Sequence, residues 1–194
     1  MKKMVLFSAL LLITTLFVSA VPTEADGAVY DDTVRLHILA NSDSDEDQQL
    51  KFSLRDELLK EYGTLLSSPD TRAEAEALIR DKLPEIEDFS ESFIKKCGYS
   101  YGVSASLVEE WYDTREYEDF TLPAGTYTSL KICIGDAEGK NWWCVMYPPL
   151  CLDVATERSA TDGKAKYTSA EKGLISGKYK VKFKVLELIS DAFS

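Results

Sequence analysis

The first ordered segment that the hydrophobic pattern predicts is a strand. Val34, Leu36 and Ile38 alternate with Arg35 and His37, and a spacing of two is typical of a strand with one buried face. We therefore expect a strand that presents its aliphatic residues to the core and its two basic residues to the opposite side.

Apolar residues spaced three or four apart predict helices after this strand. The first helix covers 44–62 and is predicted to stop at Gly63. The second is predicted to begin at Ser68, with proline at its first position, and to end at Pro84, because proline inside a helix removes a hydrogen bond. A third helix then ends before Gly98.

The spacing of two returns in the second half of the chain. It covers 99–107, 130–134 and a run that starts at Asn141 and stops at Pro148-Pro149, with a turn at 122–125. These runs predict an antiparallel meander of three or four strands. The fold class is therefore α+β, with the N-terminal strand and the helices packed on one face of a small antiparallel sheet.

The two ends of the chain have different patterns. Residues 1–20 combine two lysines, an apolar run and small residues before Ala20, which predicts a secretory signal peptide cleaved after Ala20, or otherwise an uncleaved anchor. Residues 21–33 have no periodicity and are predicted to be a flexible leader. Residues 34–194 are predicted to form one domain with a polar loop and tail after 153, whose alternating stretch 178–185 fits a strand or a helix.

Composition narrows the possible functions. The chain has 33 acidic against 22 basic residues, a formal net charge of −11, so phosphate backbones repel it and a nucleic-acid partner is not expected. Its hydrophobic content of 45% is too high for a wholly disordered protein.

The cysteines suggest a disulfide if the chain is exported. Cys144 and Cys151 flank the two prolines, so a chain reversal there brings them close, and an oxidising exterior favours their pairing. The alternative is two buried thiols. Cys97 and Cys133 are a further possible pair. The Cys144–Cys151 spacing lacks a second cysteine or histidine pair, so a zinc site is not expected.

His37 is the only histidine, so a secreted hydrolase with a histidine base would have to use it. No local catalytic motif accompanies it, and a histidine hydrogen-bonded in a strand is the favoured interpretation. We expect no catalytic residue, no cofactor and no small-molecule substrate.

The acidic run after the first strand has the beginning of a calcium loop. Asp43, Asp45 and Asp47 have the right spacing, but Gln48 stands where glycine is needed and Leu54 where the last acid is needed. The run is therefore interpreted as a helix cap, and no metal site is expected.

Trp142 and Trp143 are adjacent and would point to opposite faces of a strand. At least one would lie outside a one-sided core unless the helices or the tail cover it. An uncovered tryptophan beside two prolines suits contact with another protein. It would also suit a sugar platform, which leaves an extracellular cell-wall carbohydrate-binding module as an alternative.

Three stretches together resemble the stage II sporulation protein R family. They are Arg35 to Ser44 (RLHILANSDS), Leu122 to Tyr127 (LPAGTY), and the run from Asn141 to Cys151 (NWWCVMYPPLC). Their order and spacing are also similar to that family over about residues 34–153, whereas Cys97 and Cys133 are not part of the pattern.

The resemblance implies a signalling protein. Members of that family are exported from the forespore into the space between the two membranes, where they activate a membrane-embedded aspartic protease that cleaves the sigma-E precursor. That protease is the expected partner, and the intermembrane space is the expected location. The expected partner contacts are the two tryptophans and the corner between the first strand and helix: Arg35, His37, Asn41, Asp43, Trp142 and Trp143.

Overall fold

The computed structural model describes residues 29–66, 68–117 and 120–150, together with positions 7, 14 and 175. The predicted cleavage site at Ala20, most of the predicted signal peptide and leader, and the tail after 153 apart from position 175 lie outside these residues. Within the described part, no helix has both the length and the apolar character needed to span a bilayer.

The described residues form two long helices and six strands, which confirms the α+β class. In chain order the elements are β1 (Val34–Leu39), α1 (Asp45–Leu66), α2 (Arg72–Lys96), β2 (Val103–Tyr112), β3 (Arg115–Glu116), β4 (Thr121–Leu122), β5 (Gly125–Ile134) and β6 (Asn141–Tyr147).

The main sheet is mixed. Its strand order is β2-β5-β1-β6, with β1 parallel to β5 and antiparallel to β6. A simple meander would put β5 beside β6, but β1 lies between them, with Leu36 opposite both Leu130 and Cys144. The central position buries Val34, Leu36 and Ile38 to at most 1% exposure. It also gives the backbone groups on both edges of β1 a hydrogen-bonding strand.

Helix α1 begins as predicted and ends later. The hydroxyl of Ser44 accepts a hydrogen bond from the backbone N–H of Asp47, 3.2 Å away, and so caps the first turn. The helix continues through Gly63 to Leu66, so the predicted stop at Gly63 is wrong. Glycine inside a helix costs only about 1 kcal/mol, less than the burial of Leu58 and Tyr62 gains in the same turns.

Helix α2 replaces the two helices predicted around Pro84. Its N-cap is Thr71, whose hydroxyl accepts a hydrogen bond from the N–H of Glu74, while the Glu74 carboxylate accepts one from the N–H of Thr71. The predicted cap at Ser68 is therefore wrong. The predicted break at Pro84 is also wrong, since this proline lies inside a continuous helix. Ile79 and Ile86 keep one buried face across it, and their burial offsets the lost hydrogen bond.

One face of the main sheet carries the core. The even-numbered residues of β1 pack with apolar residues from both helices and from the neighbouring strands. The core includes Leu36, Leu54, Ile79, Ile86, Ile94, Leu130, Ile132 and Met146. The other face carries Arg35 and His37, as the alternation predicts.

The chain divides into two compact units. Of the described residues, the larger unit contains 30–66, 68–110 and 126–150, and the smaller contains 7, 14, 29, 111–117, 120–125 and 175. In the smaller unit β3 and β4 pair in antiparallel fashion. The rings of Tyr117 and Phe120 stack with centroids 4.5 Å apart and close this short ribbon.

Candidate functional site

The corner between β1 and α1, residues 40–47, is organised by the carboxylate of Asp47. This side chain is buried and accepts hydrogen bonds from Asn41 Nδ2 at 2.9 Å and Ser42 Oγ at 2.6 Å. Burial on its own raises the pKa of Asp47, but hydrogen bonds from Ser42, Asn41 and Tyr101 outweigh it, so the pKa lies below the ordinary value. The carboxylate is therefore charged at neutral pH and holds the corner.

The corner is also hydrogen-bonded to the loop between β5 and β6. Asn41 Oδ1 accepts from the N–H of Asp136 at 3.0 Å, and Asp43 Oδ1 accepts from the N–H of Lys140 at 2.6 Å. The N–H of Gly139 donates to the carbonyl of Ala40 at 3.0 Å. Two predicted contact residues, Asn41 and Asp43, thus have side chains that already shape this junction.

Two glycines permit this close approach. Gly135 has a φ of +57°, and a Cβ there would collide with the amide of Asn41. A Cβ at Gly139 would collide with the backbone carbonyl of Ser42. The first family-like stretch therefore packs against the β5–β6 loop at two positions that favour glycine.

Lys51 supports the same junction from inside. Its side chain is 1% exposed, and its ammonium donates to the carbonyl of Lys140 and to Gln48 Oε1, each at 2.7 Å. Burial lowers the pKa of Lys51, and the nearby Asp43 opposes that effect.

On the sheet face opposite the helices, five side chains form what we call the His37 cluster: His37, Glu110, Lys131, Asn141 and Trp143. Glu110 Oε2 lies 3.1 Å from His37 Nδ1 and 3.1 Å from Lys131 Nζ. His37 Nε2 lies 2.8 Å from Asn141 Oδ1. The ring of Trp143 stacks on the imidazole with centroids 5.7 Å apart. The cluster joins all four strands of the main sheet.

The geometry of His37 favours a structural role. The residue is 6% exposed, and both ring nitrogens already have partners, Glu110 and Asn141. A general base needs a nitrogen within reach of the proton that it removes. Among the described residues, no group of three His, Cys, Asp or Glu side chains comes together to hold a metal.

Arg35 lies on the same face but is fully buried. Its guanidinium carbon is 4.9 Å from the centre of the Tyr127 ring, a cation–π arrangement. The ring of Tyr30 meets Tyr127 edge-on at 5.1 Å. Arg35 therefore joins the first family-like stretch to the second, and its assignment as a partner contact stays a prediction.

Trp142 and Trp143 lie on opposite faces of β6. Trp142 packs against the core, with the guanidinium of Arg55 5.1 Å from its ring centre, and Trp143 belongs to the His37 cluster. Both are partly exposed, so both stay predicted partner contacts.

Sequence reasoning missed Trp111, which is 53% exposed. The available signal was a tryptophan beside two glutamates, just beyond the predicted strand 99–107.

The described cysteines differ in whether they form a disulfide bond. Cys144 is disulfide-bonded and buried, whereas Cys97 and Cys133 are free, so they do not pair with each other. Cys151 lies outside the described residues, and the pairing of Cys144 with Cys151 stays a prediction.

With this geometry in place, comparison with known proteins puts the chain among the proteins of bacterial sporulation. The family model for stage II sporulation protein R matches residues 30–157, more than half of the chain. The chain belongs to the stage II sporulation protein R family. It is 38% identical over 185 residues to stage II sporulation protein R of Bacillus subtilis (strain 168), covering 84% of this chain and 83% of that protein. No solved structure matches.

Proposed function

We propose that this chain is an exported signalling protein that activates a membrane-embedded aspartic protease across the space between forespore and mother cell, so that the sigma-E precursor is cleaved. The observation that carries the proposal is membership of the stage II sporulation protein R family over residues 30–157. The N-terminal pattern of residues 1–20 supports export, because it has the features of a secretory signal.

On this proposal the chain acts by binding. A ligand shifts a receptor toward its active arrangement only by as much as it binds that arrangement more tightly. A shift from about 1% to 99% active requires a preference of about 10⁴-fold. A rigid ligand surface helps, since less conformational freedom is lost on binding.

The described residues support a rigid ligand. The Asp47 corner fixes the end of β1 with hydrogen bonds of 2.6–2.9 Å, and the His37 cluster links four strands beneath Trp143. The engaged nitrogens of His37 favour this role over the hydrolase alternative.

A sporulation reporter for sigma-E activity tests the function. Deleting the gene is expected to abolish precursor cleavage, and the full-length gene is expected to restore it. A version that lacks residues 1–20 is expected to accumulate in the forespore without restoring cleavage. Full cleavage by that retained version would contradict an extracytoplasmic mode of action.

The same reporter tests the predicted contacts. Trp143→Ala is expected to reduce cleavage by tenfold or more, since a central aromatic anchor contributes about 2 kcal/mol or more to binding. The thermal midpoint of the purified variant and its exported amount serve as controls. Full signalling by stable, exported Trp142→Ala and Trp143→Ala proteins would contradict the contact assignment.

A further inference from the structure

Strand β2 is at one end of the strand order, with β5 as its neighbour among the described strands. The N–H of Gly135, just after β5, donates to the carbonyl of Gly102, just before β2, at 2.9 Å. Backbone groups alternate in direction along a strand. Residues of even number in β2 therefore direct their backbone groups toward β5, and residues of odd number direct them outward.

Helix α2 covers the first part of this outward edge. Glu87 Oε2 accepts from the N–H of Ala105 at 2.8 Å, and Glu91 Oε1 accepts from the N–H of Val103 at 3.5 Å. The two glutamates are one helical turn apart and occupy two successive outward N–H groups. Proteins commonly protect sheet edges in this way.

The protection stops at Ala105. The next outward N–H groups belong to Leu107 and Glu109, and no described side chain accepts a hydrogen bond from either of them. Leu107 is half-buried and Glu109 is exposed. The strand contains no proline and no lysine to discourage pairing. Within the described part of the chain, the outward N–H groups of residues 107–109 therefore have no hydrogen-bond acceptor.

The charge of the outward edge of β2 indicates which kind of segment can pair with it. Glu87, Glu91 and Glu109 border the edge, and Lys95 pairs with Glu91 at 2.9 Å, whereas no basic residue lies in β2. A second copy paired in antiparallel register about Glu109 would set two Glu109 side chains opposite each other, and like charges on facing strands are destabilising. An extended segment with lysine or arginine at alternate positions complements the edge in both backbone and charge.

We propose that the outward edge of β2 at residues 107–109 is a strand-addition site for an extended basic segment of a partner protein. The identification of that partner with the protease's extracytoplasmic part rests on the proposed function. The edge itself is defined by the geometry of α2, β2 and β5.

Glu109→Pro tests the edge directly. It removes an outward N–H and none of the bonds to β5, and proline is tolerated at edge positions whose N–H faces solvent. The matched control is Glu109→Gln, which removes the charge and keeps the N–H. The thermal midpoint of each variant is measured first.

The first arm uses a synthetic peptide of eight alternating lysines and valines, titrated into the full chain while amide resonances are recorded. The amides of Leu107 and Glu109 are expected to shift and to gain exchange protection in the wild-type protein, a readout that needs no variant to fold. Glu109→Gln is expected to weaken binding about threefold and Glu109→Pro at least tenfold. Absence of binding, equal binding by the two variants, or self-association through this edge would overturn the proposal.

The second arm uses the sigma-E reporter. Glu109→Pro is expected to signal at least tenfold less than Glu109→Gln. Equal signalling by the two variants alongside an active wild type would reject this edge as the protease contact. An inactive wild type would instead reject the proposed function, while the peptide arm still decides whether the edge accepts a strand.

Discussion

At the scale of single residues, polar side chains in the family-like stretches hold the backbone in place. Asn41, Ser42 and Asp43 are hydrogen-bonded within the corner or to the β5–β6 loop. The sequence predicted a helix cap here and a hydrogen-bonded histidine at position 37, and both are observed. The partners Glu110 and Asn141 were not predictable, because they are 73 and 104 residues away from His37 in the chain.

Asp47 makes stability depend on pH. Its folded pKa lies below the ordinary value of 3.8, so the unfolded chain takes up the proton first as the pH falls. The stabilisation is fully present above about pH 4 and is lost as the pH falls through the folded pKa. Asp47→Asn is expected to lower the free energy of unfolding by about 2 kcal/mol at pH 7, and the difference should shrink toward pH 3.

Urea unfolding of both proteins at a series of pH values measures this effect. Asn41→Ala removes one hydrogen-bond donor to Asp47 but keeps the Asp47 carboxylate. Its free energy of unfolding should therefore retain part of the pH dependence. A difference between wild type and Asp47→Asn that stays constant from pH 7 to pH 3 would contradict the role of the carboxylate.

Gly139 is expected to tolerate no side chain. In Gly139→Ala the added Cβ meets the backbone carbonyl of Ser42, so the free energy of unfolding should fall by about 3 kcal/mol. Gly102→Ala is the matched control, because its nearest neighbour would be 4.0 Å away and the change should stay within about 0.5 kcal/mol. Thermal unfolding compares the two, and equal effects would refute the close-approach argument.

At the scale of elements, local patterns predicted β1, the start of α1 and the strand beginning at Asn141. They failed at Gly63 and Pro84, where local breakers are overridden by burial on both sides. They also could not predict the insertion of β1 between β5 and β6. Strand order depends on pairing across the whole chain, and the alternation of a single strand does not encode it.

Pro84 leaves a defect in α2 that a substitution should repair. The side chain is exposed, so Pro84→Ala removes no core packing and restores a backbone N–H to the helix. The free energy of unfolding is expected to rise by about 1–3 kcal/mol. Asp88→Ala, an exposed position one turn later, should change it by less than about 0.5 kcal/mol. A destabilised Pro84→Ala protein in urea unfolding would show that the proline is required by its surroundings.

At the scale of the whole molecule, the strands of the main sheet are joined on both faces: the core packs on one face, and the His37 cluster links the strands on the other. The resemblance to the family was carried by three stretches. The fold brings the first against the second, where Arg35 meets Tyr127, and against the loop before the third, where Asn41 meets Asp136. The burial of Arg35 could not be predicted, since an arginine in an alternating strand normally faces water.

The most direct measurement is cleavage of the sigma-E precursor by the protease in membrane vesicles, with the purified mature chain added to the extracytoplasmic side. Cleavage of the precursor should begin when the chain is added and should saturate when the binding sites are filled. The added chain should stay intact, and without the protease it should cut nothing. His37→Gln protein, once shown to be folded, should still bring cleavage to the wild-type level at saturating concentration, because loss of a partner contact weakens binding but removes no catalytic group. Cleavage that needs no added chain, or that depends on catalytic turnover by the chain itself, would contradict activation of the protease by binding.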